Sequence, residues 1–293
     1  MKMNGLITLA LGVAVAHAST EFVVRDTIPD TFDLGQSKAA KLSLAAPDGG
    51  GSTYDIDAAA GFWTDFAEAD ATSASAGRYG VIGELHRATV AKNPTDNYRV
   101  SAVGWVGVSP NPTIYFPTQE GISYQRNRLK DSANFQAFLN ASLILPRNPR
   151  EKLPWWRCLF WSTSYAPISD TGLLMAGTPT AGINFQAASS GGTGRITRMI
   201  ARYTASIKGA GGPLEKFSLD FSWIYQRKLG ASGTLDSPVH DWRRTTVALN
   251  YAFNENVGLV MERDDGEDPL AATGRQHLTT IALKVKFGRG PSQ

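Results

Sequence analysis

The run Phe217-Ser218-Leu219-Asp220-Phe221-Ser222-Trp223-Ile224-Tyr225-Gln226 decides the fold class. Its odd positions are Phe, Leu, Phe, Trp and Tyr, and its even positions are Ser, Asp, Ser, Ile and Gln. Successive side chains of a strand point to opposite faces, so this segment has one strongly apolar face and one mostly polar face. A helix would scatter the same aromatics around its circumference.

The pattern recurs along the chain. Phe135, Ala137, Leu139, Ala141, Leu143 and Leu145 alternate with Asn134, Gln136, Phe138, Asn140, Ser142 and Ile144. Tyr98, Val100, Ala102, Gly104 and Val106 alternate with Arg99, Ser101, Val103 and Trp105. Val247, Leu249, Tyr251 and Phe253 alternate with Thr246, Ala248, Asn250 and Ala252. Such segments place strands at 53–63, 78–90, 97–108, 113–126, 134–145, 155–165, 180–188, 195–207, 217–227, 243–253, 256–263 and 277–287. Pro117 and Gly121 interrupt 113–126, and 166–179 has room for another strand, so the expected count is about twelve, within ten to fourteen. Up-and-down strands would bring the longer connections 64–77, 228–242 and 264–276 to one side.

Composition narrows the class. The chain has 293 residues, 29 Lys+Arg against 26 Asp+Glu, a net charge of +3, and 10% aromatics. That balance is not the strong basic excess of a nucleic-acid binder, and the low charge and many aromatics are not those of a disordered chain. Only one apolar run is long enough to consider as a helix for the membrane, and it is short. Cys158 is the single cysteine, so neither an intrachain disulfide nor a cysteine-built zinc site can form.

That run is at the start. Met1-Lys2-Met3-Asn4 precedes the apolar stretch Gly5–Ala16 and the small-x-small exit Ala16-His17-Ala18. It resembles a bacterial secretory signal peptide cut after Ala18. The expected organisation is a signal peptide at 1–18, a periplasmic lead-in at 19–52 with an extra strand near Lys41–Ala46, a barrel at 53–287 and a tail at 288–293.

A soluble β-sandwich also alternates. Two features point to lipid instead. Aromatics gather near strand ends, as at Tyr54, Phe62, Tyr79, Tyr98, Trp155, Trp156, Phe217, Tyr251 and Phe253. Girdles of this kind mark both interfaces of a barrel in a membrane. The last strand closes on Ile281, Leu283, Val285 and Phe287, which is similar to the C-terminal assembly signal of outer-membrane proteins; the tail after Phe287 departs from it. The chain therefore resembles bacterial outer-membrane β-barrels as a class, with no motif of one family. The resemblance implies an all-β, antiparallel up-and-down transmembrane barrel in the cell outer membrane. Its implied partners are outer-membrane lipid, lipopolysaccharide and the barrel assembly machinery, without nucleic acid. The oligomeric state stays open.

If the aromatic faces meet lipid, the lumen holds Arg99, Arg198, Arg202, Arg244, Lys284 and Lys286. It also holds Asp55, Asp57, Glu84, His86, Asp220 and Glu262. A slightly basic lumen suits passive passage of small polar or anionic solutes. The same charges could instead pair across a filled barrel, leaving a structural or adhesive protein that works through its loops. Glu84 and His86 share a face, the arrangement of a general base with an orienting carboxylate, which would suit a membrane lipid hydrolase. No serine sits in a nucleophile elbow and no metalloprotease motif occurs, so the expectation is a non-enzyme without cofactor or metal.

Overall fold

The computed structural model describes residues 20–25, 40–47, 53–67, 75–89, 94–111, 114–143, 156, 162–167, 172–254, 257–268 and 273–285. Its strands are β1 (Thr20–Arg25), β2 (Ala40–Pro47), β3 (Thr53–Ala67), β4 (Ser75–Ala88), β5 (Thr95–Asn111), β6 (Ile114–Asn127) and β7 (Ser132–Ser142). There follow β8 (Ser162–Pro167), β9 (Leu173–Ser190), β10 (Gly194–Gly209), β11 (Phe217–Gly233), β12 (Asp241–Ala252), β13 (Val257–Asp268) and β14 (Thr273–Val285).

All fourteen belong to one sheet, and every pairing is antiparallel. Neighbours pair in order from β2 through β14, β8 standing aside, and β14 returns to β2, so twelve strands close a ring. Within the ring no strand is left as an edge, whereas β1 and β8, off it, each pair with one neighbour among the described residues. The two strands off the ring extend others. β1 lies along Ala59–Thr64 of β3, where β2 (at Thr53–Asp57) no longer reaches. β8 takes up β9 at Leu174–Gly177, where β7 stops at Thr180.

The wall is polar inside and apolar outside. Phe62 and Ile122 are 60% and 65% exposed, whereas Gln226 and Asn184 are each 1% exposed. On β11 the odd positions Phe217 and Leu219 face out, and on β14 so do Ile281 and Leu283. A water-soluble sandwich would bury those side chains and expose the amides. Hydrocarbon outside and polar groups inside fit this wall, so the chain is a transmembrane β-barrel.

The structure corrects several sequence expectations. Segment 155–165 is not a separate crossing; among its described residues only Ser162 onwards is strand, and β8 continues the line of β7. Segment 166–179 does not hold a strand of its own, because β9 already starts at Leu173. The count of twelve survives because β2, the extra strand of the lead-in, completes the ring. Removing one crossing also flips the later connections. The ends of β3 and β4 at Ala67 and Ser75 therefore lie at the rim where β14 ends, here the near rim. The gaps 234–240 and 269–272 lie at the opposite, far rim. The three long connections thus do not share a side, and strands reach far into each: β11 runs to Gly233 and β13 to Asp268. Pro117 and Gly121 sit inside a continuous β6, with Pro117 opposite Gly107.

Candidate functional site: the lumen wall

Towards the far rim a chain of side chains runs around the inner wall. Glu84 on β4 and Arg99 on β5 are directly opposite each other, and Arg99 Nε donates to the Glu84 carboxylate. The Glu84 side chain is fully buried, so the guanidinium supplies the compensation a buried carboxylate requires. Gln125 lies opposite Arg99 and accepts from Gln136 Nε2 at 2.8 Å. Gln136 lies opposite Gln186, which accepts from Arg198 Nη1 at 2.8 Å. The Arg198 guanidinium also lies over the Trp242 ring, 5.2 Å from its centroid. Further round, Asp264 on β13 meets Arg244 Nη2 at 3.2 Å and accepts from the Thr246 hydroxyl.

A second cluster lies towards the near rim. Asp220 accepts from Ser206 Oγ at 2.5 Å and from Asn250 Nδ2 at 2.7 Å, which joins β10, β11 and β12. Lys284 on β14 donates to Asn250 Oδ1, passing over β13. At mid-wall Asn140 donates to Gln119 Oε1 at 2.9 Å, and the Ser142 and Thr180 hydroxyls are 2.7 Å apart. An apolar block interrupts the polar surface: Ala59, Ile82, Val103 and the fully buried Trp105 pack together, with Phe138 against them.

The sequence-derived lumen set is placed as follows. Arg198, Glu84 and Glu262 are buried on the inner face. Arg99, Arg202, Arg244, Asp220, Lys284 and His86 are half-buried at inward positions. Asp55 and Asp57 are paired in β3 opposite Ala88 and His86, with only their backbone described. Lys286 and Phe287 lie outside the described residues, as does Cys158. Arg99 takes the carboxylate of Glu84, and Asp220 is bound to neutral donors.

Sequence reasoning missed Arg78 (buried) and Lys208 on the basic side and Asp264 on the acidic side. Each continues the inward parity of its strand: Lys208 and Asp264 lie one residue beyond the expected strand ends, and Arg78 is the first residue of the expected 78–90. It also missed the neutral amides Gln119, Gln125, Gln136, Asn140, Asn184 and Gln186, which carry much of the wall. Their signal was the polar half of the alternation itself.

A carboxylate interrupts the apolar outer face near the middle of β6. Glu120 is exposed on β6, between Thr118 and Ile122 at mid-strand. It lies opposite Gly104, where an added Cβ would come 3.0 Å from Glu120 Oε1.

No protein family matches the chain, and no curated protein matches it. Solved structures similar to it include the NanC porin, with 9% identity, TM-score 0.45, 85% of this chain and 100% of that one covered. The KdgM porin gives 12% identity, TM-score 0.38 and coverages of 85% and 99%. OmpT, an outer membrane protein of Vibrio cholerae, gives 8% identity, TM-score 0.40 and coverages of 94% and 100%. The barrel assignment rests on the closed ring and on the polarity of the wall described above.

Proposed function

We propose that the chain is an outer-membrane barrel, exported by a leader cut after Ala18, that gives small polar and anionic solutes a narrow passage. The observation that carries this reading is the basic excess of the inner wall. Among the residues whose side chains are described, Arg78, Arg99, Arg198, Arg202, Lys208, Lys228, Arg244 and Lys284 face in, against Glu84, Asp220, Glu262 and Asp264. Glu84 and Asp264 are held by arginines, which reduces the acidic field further. Amide side chains between the charges offer donors and acceptors to a dehydrating solute. The reading assigns no catalytic step to Glu84 and His86.

The test is single-channel recording of the refolded protein in planar bilayers under a salt gradient. Discrete openings with an anion-selective reversal potential support the passage. A folded, silent barrel rejects it. One observation favours that second outcome: Asn184, Gln186, Gln226 and Glu262 are nearly inaccessible to water, as in a barrel filled by its own side chains. In that case the protein is a structural or adhesive barrel.

A further inference from the structure

The outer wall ends differently at its two rims. At the near rim of β11 and β12 the outward positions are aromatic: Phe217, Tyr251 and Phe253 pack in sequence, with ring centroids 4.9 Å and 5.3 Å apart. Among the described residues, no outward strand position at that rim is basic. At the far rim, on six strands, the first charged outward side chain beyond the apolar run is an arginine. These are Arg87 on β4, Arg126 on β6, Arg195 on β10, Arg227 on β11, Arg243 on β12 and Arg263 on β13. All six are exposed. On β11 the change is abrupt: stacked Trp223 and Tyr225 are followed at the next outward position by Arg227.

The inward parity of the lumen rules these six out of the passage. A guanidinium has five N–H groups, more than one local partner takes up. Arg126 donates to Asp131 at 3.0 Å and also meets Tyr98, Arg263 donates to Thr279 at 3.0 Å, and Arg243 lies over Tyr225 at 5.8 Å. Of the carboxylates at this rim, Asp241 accepts from the Tyr225 hydroxyl at 2.6 Å and Asp265 is 2.8 Å from His277 Nδ1; Asp96 lies opposite Arg87 and Asp241 opposite Arg227, and the arginines outnumber them. Guanidinium groups that follow the apolar run on the outer face suit the phosphate region of a bilayer leaflet, and guanidinium pairs with phosphate in a fixed two-bond geometry.

We propose that this arginine collar binds phosphate-bearing lipid headgroups, with phosphomonoester glycolipid of the lipopolysaccharide type as its occupant. The far rim is then the outward-facing one. The proposal rests on the outer-membrane reading of the barrel, and its test keeps the two apart. The full barrel is refolded in neutral detergent with purified lipid A, with enzymatically dephosphorylated lipid A, or with phosphatidylcholine. Folding is scored by heat-modifiable gel mobility, and retained lipid by native mass spectrometry.

Lipid A retained roughly tenfold more tightly than its dephosphorylated form is the expected result, from several exposed charge pairs of modest strength each. Arg195→Gln/Arg227→Gln/Arg243→Gln should erase that difference while the barrel still folds. Equal retention of the two lipid forms by the unsubstituted barrel overturns the collar, whatever the variant does. So does an unchanged preference in the folded triple variant. A chain that does not insert into detergent as a heat-modifiable species removes the barrel reading instead.

Discussion

The Arg198 guanidinium and the Trp242 ring meet 5.2 Å apart although β11 separates their strands. Trp242 lies opposite Gln226 on β11, and Arg198 lies opposite Lys228, so the contact crosses the inner face of one strand to reach the next. It holds a buried cation at a defined height in the lumen. Replacing Arg198 by Gln keeps the side chain polar and removes the charge. The reversal potential under a salt gradient should move towards zero; an unchanged selectivity would remove Arg198 from the passage.

Asp220 is the common acceptor of Ser206 and Asn250, and Asn250 in turn accepts from Lys284. Asp220→Ala leaves these donors to find water in a confined wall. The loss should be about 1–3 kcal/mol, read as a lower urea midpoint for unfolding from detergent. A midpoint equal to that of the unsubstituted barrel would show that the cluster contributes nothing net.

Glu120 presents a carboxylate to the hydrocarbon at mid-strand. Glu120→Leu should stabilise the barrel by about 1–2 kcal/mol, because acidic groups on the lipid face cost less than basic ones but still cost. The same urea titration in bilayer vesicles checks it. A destabilised variant would mean that Glu120 has a partner in the membrane.

Gly182 on β9 faces Asn140 across the inner wall. A Cβ there would lie 2.6 Å from the Leu139 carbonyl oxygen and would collide with the Asn140 amide. Backbone cannot move aside without parting β7 from β9. Gly182→Val should therefore abolish the heat-modifiable folded band, whereas Gly83→Ala, on a position with nothing within 4 Å of the added atom, should leave it intact.

The proposed leader makes a simple mass prediction. Protein extracted from the outer-membrane fraction should begin at Ser19, one residue before β1. An intact mass that includes residues 1–18 would reject cleavage.

Much of the fold was legible in the residues. The alternation of Phe217–Gln226 set both the strand and its outward face, since side-chain parity is a local property. The alternation in Phe135–Ser142 did the same for β7. What was not legible was which segments share a stave. β7 and β8 lie in line only because both pair with β9, and that is a long-range fact. The 155–165 stretch looked like a crossing because its aromatics resemble an interface girdle. For the lumen, charges were found by parity, but their partners were not. Parity says that Glu84 faces inward, and only the register with β5 puts Arg99 opposite it. Gln125, Gln136 and Gln186 were passed over because an amide has no charge to attract notice, yet they line the wall between Arg99 and Arg198, Gln136 bonded to Gln125 and Gln186 to Arg198.

The stave that completes the ring is also the shortest. β2 meets β3 only over Lys41–Ala45 and meets β14 over Ala40–Pro47, while β10 and β11 run together from Gly194 to Lys208. A hoop under tension parts at its least-fastened joint. Here the two shortest joints flank β2, the strand that brings the first part of the polypeptide to its last. It is the first place where warming should let deuterium in.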